Sequence, residues 1–288
     1  TTSCLALALL FGIGGASCFN LTMGEGNREK AAYYIGNAVS MLFLCGLALC
    51  LITQLFLTSL LKFFGAPQDV LPYAQEYVRI TALGFPFLLL TTGGGHLIRA
   101  DGNPRMTMIC NLTGAIINTV LDALFVMVFQ MGMAGAALAT VIGQVISAVI
   151  VICYLYHFKT VPLEKKHLIV NMEYTGKIAS IGAASFFNQL AMMVVQIVLN
   201  NSLKHYGALS IYGEAIPIAC AGIVMKVNQV FFSIVIGIGQ GSQPIESFNY
   251  GARQYDRVRK AYWLASVAGG SISAISFILF QLFPRQII

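Results

Sequence analysis

Long apolar runs constrain this chain more than any other feature. Between its polar segments lie stretches of twenty or more residues with almost no charge, about the length a helix needs to cross roughly 30 Å of hydrocarbon. In that medium every backbone N–H and C=O must be bonded internally, which leaves helices or closed barrels. A membrane barrel would show segments of about ten residues with alternating polarity, and the sequence has none. Composition agrees: 57% of the 288 residues are hydrophobic and 10% charged, against roughly a quarter charged in a soluble domain. The expected fold is an all-α polytopic membrane protein.

Eight spans are expected, at 2–23, 34–61, 72–98, 106–129, 132–157, 177–202, 214–243 and 261–284. Polar segments separate them, among them "GEGNREK", "KFFGAPQDVLP", "RADGNPR", "KHYGALS" and "NYGARQYDRVRK". "QMGMAG" is so short that the helices on either side must be antiparallel neighbours. Pro86 and Pro217 are expected to kink their helices and Pro244 to end its span.

The net charge of +6 points to membrane topology rather than to a nucleic-acid partner. Twelve of the seventeen Lys and Arg residues fall in four alternate loops, around Arg28 and Lys30, Arg99 and Arg105, Lys159 to Lys177, and Arg253 to Lys260. The opposite loops hold Lys62, Lys204 and Arg285, and Arg79 and Lys226 lie inside spans. By the positive-inside rule the basic loops are cytoplasmic. The seven cysteines and four histidines are dispersed without ligand spacing, no phosphate-binding loop occurs, and no nucleophile–base set is visible, so neither an enzyme nor a cofactor is expected.

The chain also repeats itself. "GIGGAS" at 12–17 resembles "GIGQGS" at 237–242, and each leads through a glycine to a basic cluster and then "KAAY" or "KAY". The copies begin six spans apart and share one orientation, as in transporters built from parallel repeats. Two six-helix halves make twelve spans, so about four are expected outside these residues. With no initiator Met and an opening inside an apolar run, a partial chain is expected.

Asp122 is the one carboxylate well inside a span, about 25 Å along its helix from Arg105 at 1.5 Å per residue. Asn118 precedes it by one turn on the same face. Together they can share a proton or offer oxygens to a small cation such as sodium; the other reading is a protonated structural acid, bonded within the bundle. Lys226 stands mid-span and either lines a polar cavity or snorkels. Asn188, Gln189 and Gln196 share one span, where they line a cargo path or bond between helices.

Two stretches carry a family resemblance. "RADGNPRMTMICNLTGAIINTVLDALF" followed by "MGMAGAALATVIGQ", and "GIGQGSQPIESFNYGARQYDRVRKA", resemble the multidrug and toxic compound extrusion (MATE) transporters, in particular the bacterial branch with multidrug-efflux and DNA-damage-inducible members. The resemblance implies twelve helices in two lobes, with helices two to six of the family pattern at 1–158, an inter-lobe linker at 159–176 and helices seven to nine at 177–288. It implies a multi-pass protein of the bacterial cytoplasmic membrane, acting as a monomer, that exchanges sodium or protons for cationic amphipathic compounds by alternating access. Asn118, Asp122 and Thr140 match the cation-coupling site of the first lobe, where sodium is the possible metal, and Tyr77 falls near a fourth-helix tyrosine by spacing. The first-helix aspartate of that site falls outside these residues, and the seventh helix has no acid here, which puts a second site in doubt. A lipid-linked oligosaccharide flippase of the same superfamily is the alternative; it would hold pyrophosphate with several basic residues, and Lys226 is the one deep basic residue available.

Overall fold

The computed structural model describes residues 2–63, 71–209 and 215–282. The segments 64–70, 210–214 and 283–288, which include parts of two expected loops and Arg285, lie outside the described residues. Among the described residues every regular element is a helix: α1 (Thr2–Gly24), α2 (Arg28–Leu55), α3 (Leu57–Phe63), α4 (Leu71–Leu83), α5 (Phe85–Ala100), α6 (Pro104–Asp122), α7 (Gly132–Tyr156), α8 (Met172–Ala208), α9 (Ala215–Gly251) and α10 (Tyr255–Leu282). A π-helical turn, Ala123–Val128, continues α6, and a 3-10 turn, Lys165–Leu168, sits in the linker. Among the described residues seven helices are long and apolar enough to span a membrane, and the bent pair α4–α5, taken as one span, makes an eighth. This is an all-α polytopic membrane protein.

Three of the helices that start on the basic face are capped by asparagine, each satisfying a first-turn N–H. Asn27 accepts from Lys30 N at 3.1 Å, Asn103 from Met106 N at 3.2 Å, and Asn171 from Glu173 N at 2.9 Å. Pro104 follows its cap directly, where its missing N–H costs nothing. These caps start α2 and α8 earlier than hydropathy alone suggests, at Arg28 and Met172.

The kink expected at Pro86 is present: the run 72–98 breaks at Gly84, where α4 and α5 meet at 53°, because Pro86 in the first turn of α5 has no N–H to carry the ladder across. Two other expectations need correction. Pro244 does not end its span, and α9 continues to Gly251. The helix is steadied there by α1, since Gln243 donates to Ser17 Oγ at 2.7 Å and to Ile13 O at 3.5 Å. Pro217 lies in the first turns of α9, and no break follows it.

Helix α1 is the shared element. It packs on α2 and α5 on one side and on α8 and α9 on the other. Hydrocarbon supplies little hydrophobic drive between helices, so close approach through small residues must do so. A Cβ on Gly14 would fall on the carbonyl oxygen of Ile178 in α8, and one on Gly182 would fall on the carbonyl oxygen of Leu10 in α1. The two backbones therefore touch directly.

The basic loops gather on one face. Asp101, in the α5–α6 turn, accepts from Tyr154 Oη at 2.8 Å, from Lys159 N and Thr160 N at 3.0 Å, and from the Thr160 hydroxyl. Further along, fully buried Asn37 of α2 donates to His167 O at 3.4 Å and accepts from Asn171 N at 2.6 Å. Ser40 Oγ donates to Leu168 O at 2.6 Å. The linker is thus tied down along α2, and the exposed Lys166–Glu164 pair at 3.1 Å holds the lysine above its ordinary pKa.

The α1–α8 contact makes a sharp prediction. Gly14→Ala overpacks a seam with no free space and is expected to cost about 1–3 kcal/mol, lowering the thermal midpoint of the detergent-solubilised protein. Gly176→Ala, on the same pair's α8 but with nothing within 4 Å of the added carbon, should leave the midpoint unchanged.

Candidate functional site

The candidate site is built by two antiparallel helices. Asn118 and Asp122 sit one turn apart near the end of α6, and Thr140 lies on α7. The helices meet closely where Gly143 faces Gly114: a Cβ on Gly143 would lie 2.9 Å from Gly114 O and 3.1 Å from Asn118 Cβ. That approach lets Asn118 Nδ2 donate to Thr140 Oγ1 at 3.4 Å, while the Thr140 hydroxyl donates to Ala136 O at 2.9 Å. With its amide nitrogen engaged, Asn118 keeps its carbonyl oxygen as an acceptor.

Asp122 stands where the winding changes from α to π, a widening that often marks functional positions in helices. Its Oδ1 is buried and has no hydrogen-bond partner. A buried acceptor without a donor costs about 1–3 kcal/mol, and more when charged. A proton on the carboxylate, or a cation beside it, removes that cost. Asn118 and Thr140 are brought together; Asp122 follows Asn118 by a turn. Tyr77 lies on α4, which packs against α7, and among the described residues no hydrogen bond joins its side chain to the other three.

Sequence reasoning overlooked the floor of this site. A cleft of about 260 Å³ between α5, α6 and α7 is walled by Thr91, Asn111, Asn118, Thr140, Gln144 and Ser147, among others. Ser147 Oγ donates to Cys110 O at 2.9 Å. Gln144 Oε1, like Asp122 Oδ1, is buried without a partner. The signal was present: residues 140, 144 and 147 recur at helical spacing on α7, and 111, 118 and 122 do so on α6. Each polar residue is isolated in an apolar run, so hydropathy hides the stripe.

A second, larger cleft of about 680 Å³ opens between α8 and the α1–α5 group. Gln189, Met192, Met193 and Gln196 of α8 face Ile52, Val78 and Phe85 across it. Gln196 Nε2 donates to Asn200 Oδ1 at 3.2 Å and approaches Met225 Sδ at 3.6 Å. Of the expected cargo-path residues, Gln189 and Gln196 line this cleft. Asn188 and Lys226 are not part of its lining, and both are exposed.

The arrangement is a multi-pass helical protein with an acid whose Oδ1 is buried and an apolar cleft between helix groups. The MatE family model matches residues 1–124 and 184–288, and the chain belongs to that family. Multidrug export protein MepA of Staphylococcus aureus is 27% identical over 251 residues, 87% of this chain and 54% of its own length. The probable multidrug resistance protein YoeA of Bacillus subtilis is 24% identical over 299 residues, covering 99% of this chain and 62% of its own. The chain thus spans a little over half the length of these relatives. Its fold matches an outward-facing multidrug resistance MATE family transporter of the MOP superfamily with a TM-score of 0.90 at 21% identity, over 99% of this chain and 62% of that one. A MOP superfamily transporter from Pyrococcus furiosus, whose binding pocket is described as reversed in polarity, matches at 0.87 and 21% identity, over 99% and 62%.

The Asn118–Thr140 contact can be tested alone. Thr140→Val removes the acceptor of a half-buried amide and should cost about 1–3 kcal/mol, read as a lower thermal midpoint. Thr140→Ser keeps the oxygen and should recover most of the loss.

Proposed function

We propose that the protein containing this chain is a monomeric, cation-coupled antiporter of the bacterial cytoplasmic membrane, exporting cationic amphipathic compounds by alternating access. Asp122 is the coupling acid, with Asn118 and Thr140 as its oxygen partners and Tyr77 nearby, and sodium or a proton is the coupling ion. The observation that carries this reading is the unpartnered, buried Oδ1 of Asp122. It lies one turn from an amide oriented by Thr140, in a helix pair away from the apolar cleft. An ionised carboxylate in a span costs about 3 kcal/mol or more, and neutralising it by about that amount shifts a two-state equilibrium roughly a hundredfold. The names of the relatives support multidrug export, and the apolar, methionine-bearing inter-lobe cleft suits amphipathic cargo.

The flippase alternative is not favoured. It calls for basic side chains converging on a pyrophosphate, whereas the described lining of the inter-lobe cleft is apolar with amide and hydroxyl groups and does not include Lys226.

The decisive measurement is ethidium efflux from cells expressing the full-length protein, wild type beside Asp122→Asn, under imposed sodium or proton gradients. Wild type is expected to pump and Asp122→Asn, inserted at equal level, to lose at least about tenfold in rate; the gradient that drives wild type names the ion. Equal pumping by both would assign Asp122 a structural role, and no cationic-dye efflux from either would bring the flippase forward.

A further inference from the structure

The break between α4 and α5 leaves a carbonyl without its helical donor. Pro86 has no N–H, so the carbonyl of Ala82, a fully buried residue, lacks its helical partner. Gly84 N turns to Thr81 O at 3.0 Å, and Gly84 O takes Leu88 N at 2.8 Å. The carbonyl end of α4, carrying the negative pole of its dipole, therefore stops inside the lobe. Directly opposite is Gln144 of α7. Its buried, donorless Oε1 occupies the place where a Gly84 side chain would begin, and Thr81 O lies 3.2 Å from that same point. An amide oxygen thus lies against a carbonyl helix end, in the space that the absence of a Cβ leaves to it. Acceptors facing acceptors repel unless a cation lies between them.

We propose that a monovalent cation binds where these oxygens meet, held by Gln144 Oε1 and the carbonyl end of α4 at Thr81 and Ala82. Broken helices with free carbonyls and C-terminal ends are a recurrent means of holding sodium in transporters. The ligands are neutral oxygens, which suits an ion of single charge better than a divalent one that needs carboxylates. The site is separate from Asp122: Gln144 is one turn from Thr140 toward the basic face, and Asp122 one turn from Asn118 the other way, about 12 Å apart by helical rise. The polar cleft beside Thr91, Asn118 and Thr140 gives an ion access. On the other side of the break, Val78 and Phe85 face the inter-lobe cleft, so an ion that fixes the bend also fixes one wall of the cargo space. The binding stands on the geometry alone; its link to cargo rests on the antiport reading.

The competing account is a reversed Gln144 amide whose nitrogen donates to Thr81 O as a plain structural bond. Thermal midpoints of the purified full-length protein, titrated with sodium chloride against choline chloride at constant ionic strength, separate the two. In an Asp122→Asn background, which removes the acid, sodium is expected still to raise the midpoint. Adding Gln144→Leu should abolish that rise. Adding Gln144→Glu should keep it and lower the half-saturating sodium by at least about tenfold, since a carboxylate replaces a neutral oxygen. A sodium response in wild type that vanishes in Asp122→Asn overturns this site while leaving the Asp122 reading intact. No sodium response in either protein, or a Gln144→Glu variant that is destabilised and not rescued by sodium, overturns it as well.

Discussion

Direct backbone contact along α1 is the constraint from which the rest of the architecture follows. In hydrocarbon, helices gain little by burying apolar surface against each other, so a stable seam needs many atoms at van der Waals distance. The α1–α8 crossing reaches that density by omitting side chains at Gly14 and Gly182, where carbonyl oxygens of the partner helix occupy the space a Cβ would take. One helix can then serve both helix groups. A seam this tight at its middle leaves a cleft where the helices diverge, and that cleft is bounded by Thr2 and Ser3 at the start of α1 and by α8.

The same economy of side chains explains where polar groups can stand. A polar atom within a span must find a partner on a neighbouring helix, or cost free energy. Ser147 and Asn118 find theirs across the Gly114–Gly143 approach. Asp122 Oδ1 and Gln144 Oε1, flanking that approach on either side, do not. Their common character as acceptors is what makes a proton or a cation the fitting complement; a missing acceptor would have called for something else.

Much of this was legible in the sequence, for identifiable reasons. Span count and the gathering of basic loops follow from chemistry that hydropathy and charge record directly. Asn118 and Asp122 were visible because one turn of helix puts i and i+4 together. The bend of α4–α5 was legible from Pro86, which has no N–H to carry the ladder, but its place at Gly84 was not, since "LGFPFLLL" is apolar on both sides. Pro244 misled for a different reason: the contacts from Gln243 to Ser17 and Ile13 that keep α9 continuous span more than 220 residues of sequence. Gln144 was lost among valines and isoleucines, and only the partner helices reveal that its face is the polar one. Which of Gln189, Gln196, Asn188 and Lys226 meet the cleft depends on helix rotation, which packing decides.

The two clefts differ in kind, and that difference bears on coupling. The polar one lies within a helix group, small and oxygen-rich; the larger lies between groups and is mostly apolar. An ion and an amphipathic molecule therefore have no reason to compete for the same atoms, and on the proposed reading each acts on the other only through a shared wall. The broken α4–α5 span is such a wall, with Gln144 packed against its bend on one side and Val78 and Phe85 on the other. Because packed helices shift between discrete arrangements rather than deforming smoothly, a small change in charge at one face of a bend can reach the opposite face as a change in shape. Linkage then requires the reverse as well: cargo that favours one bend must alter ion affinity by the same factor.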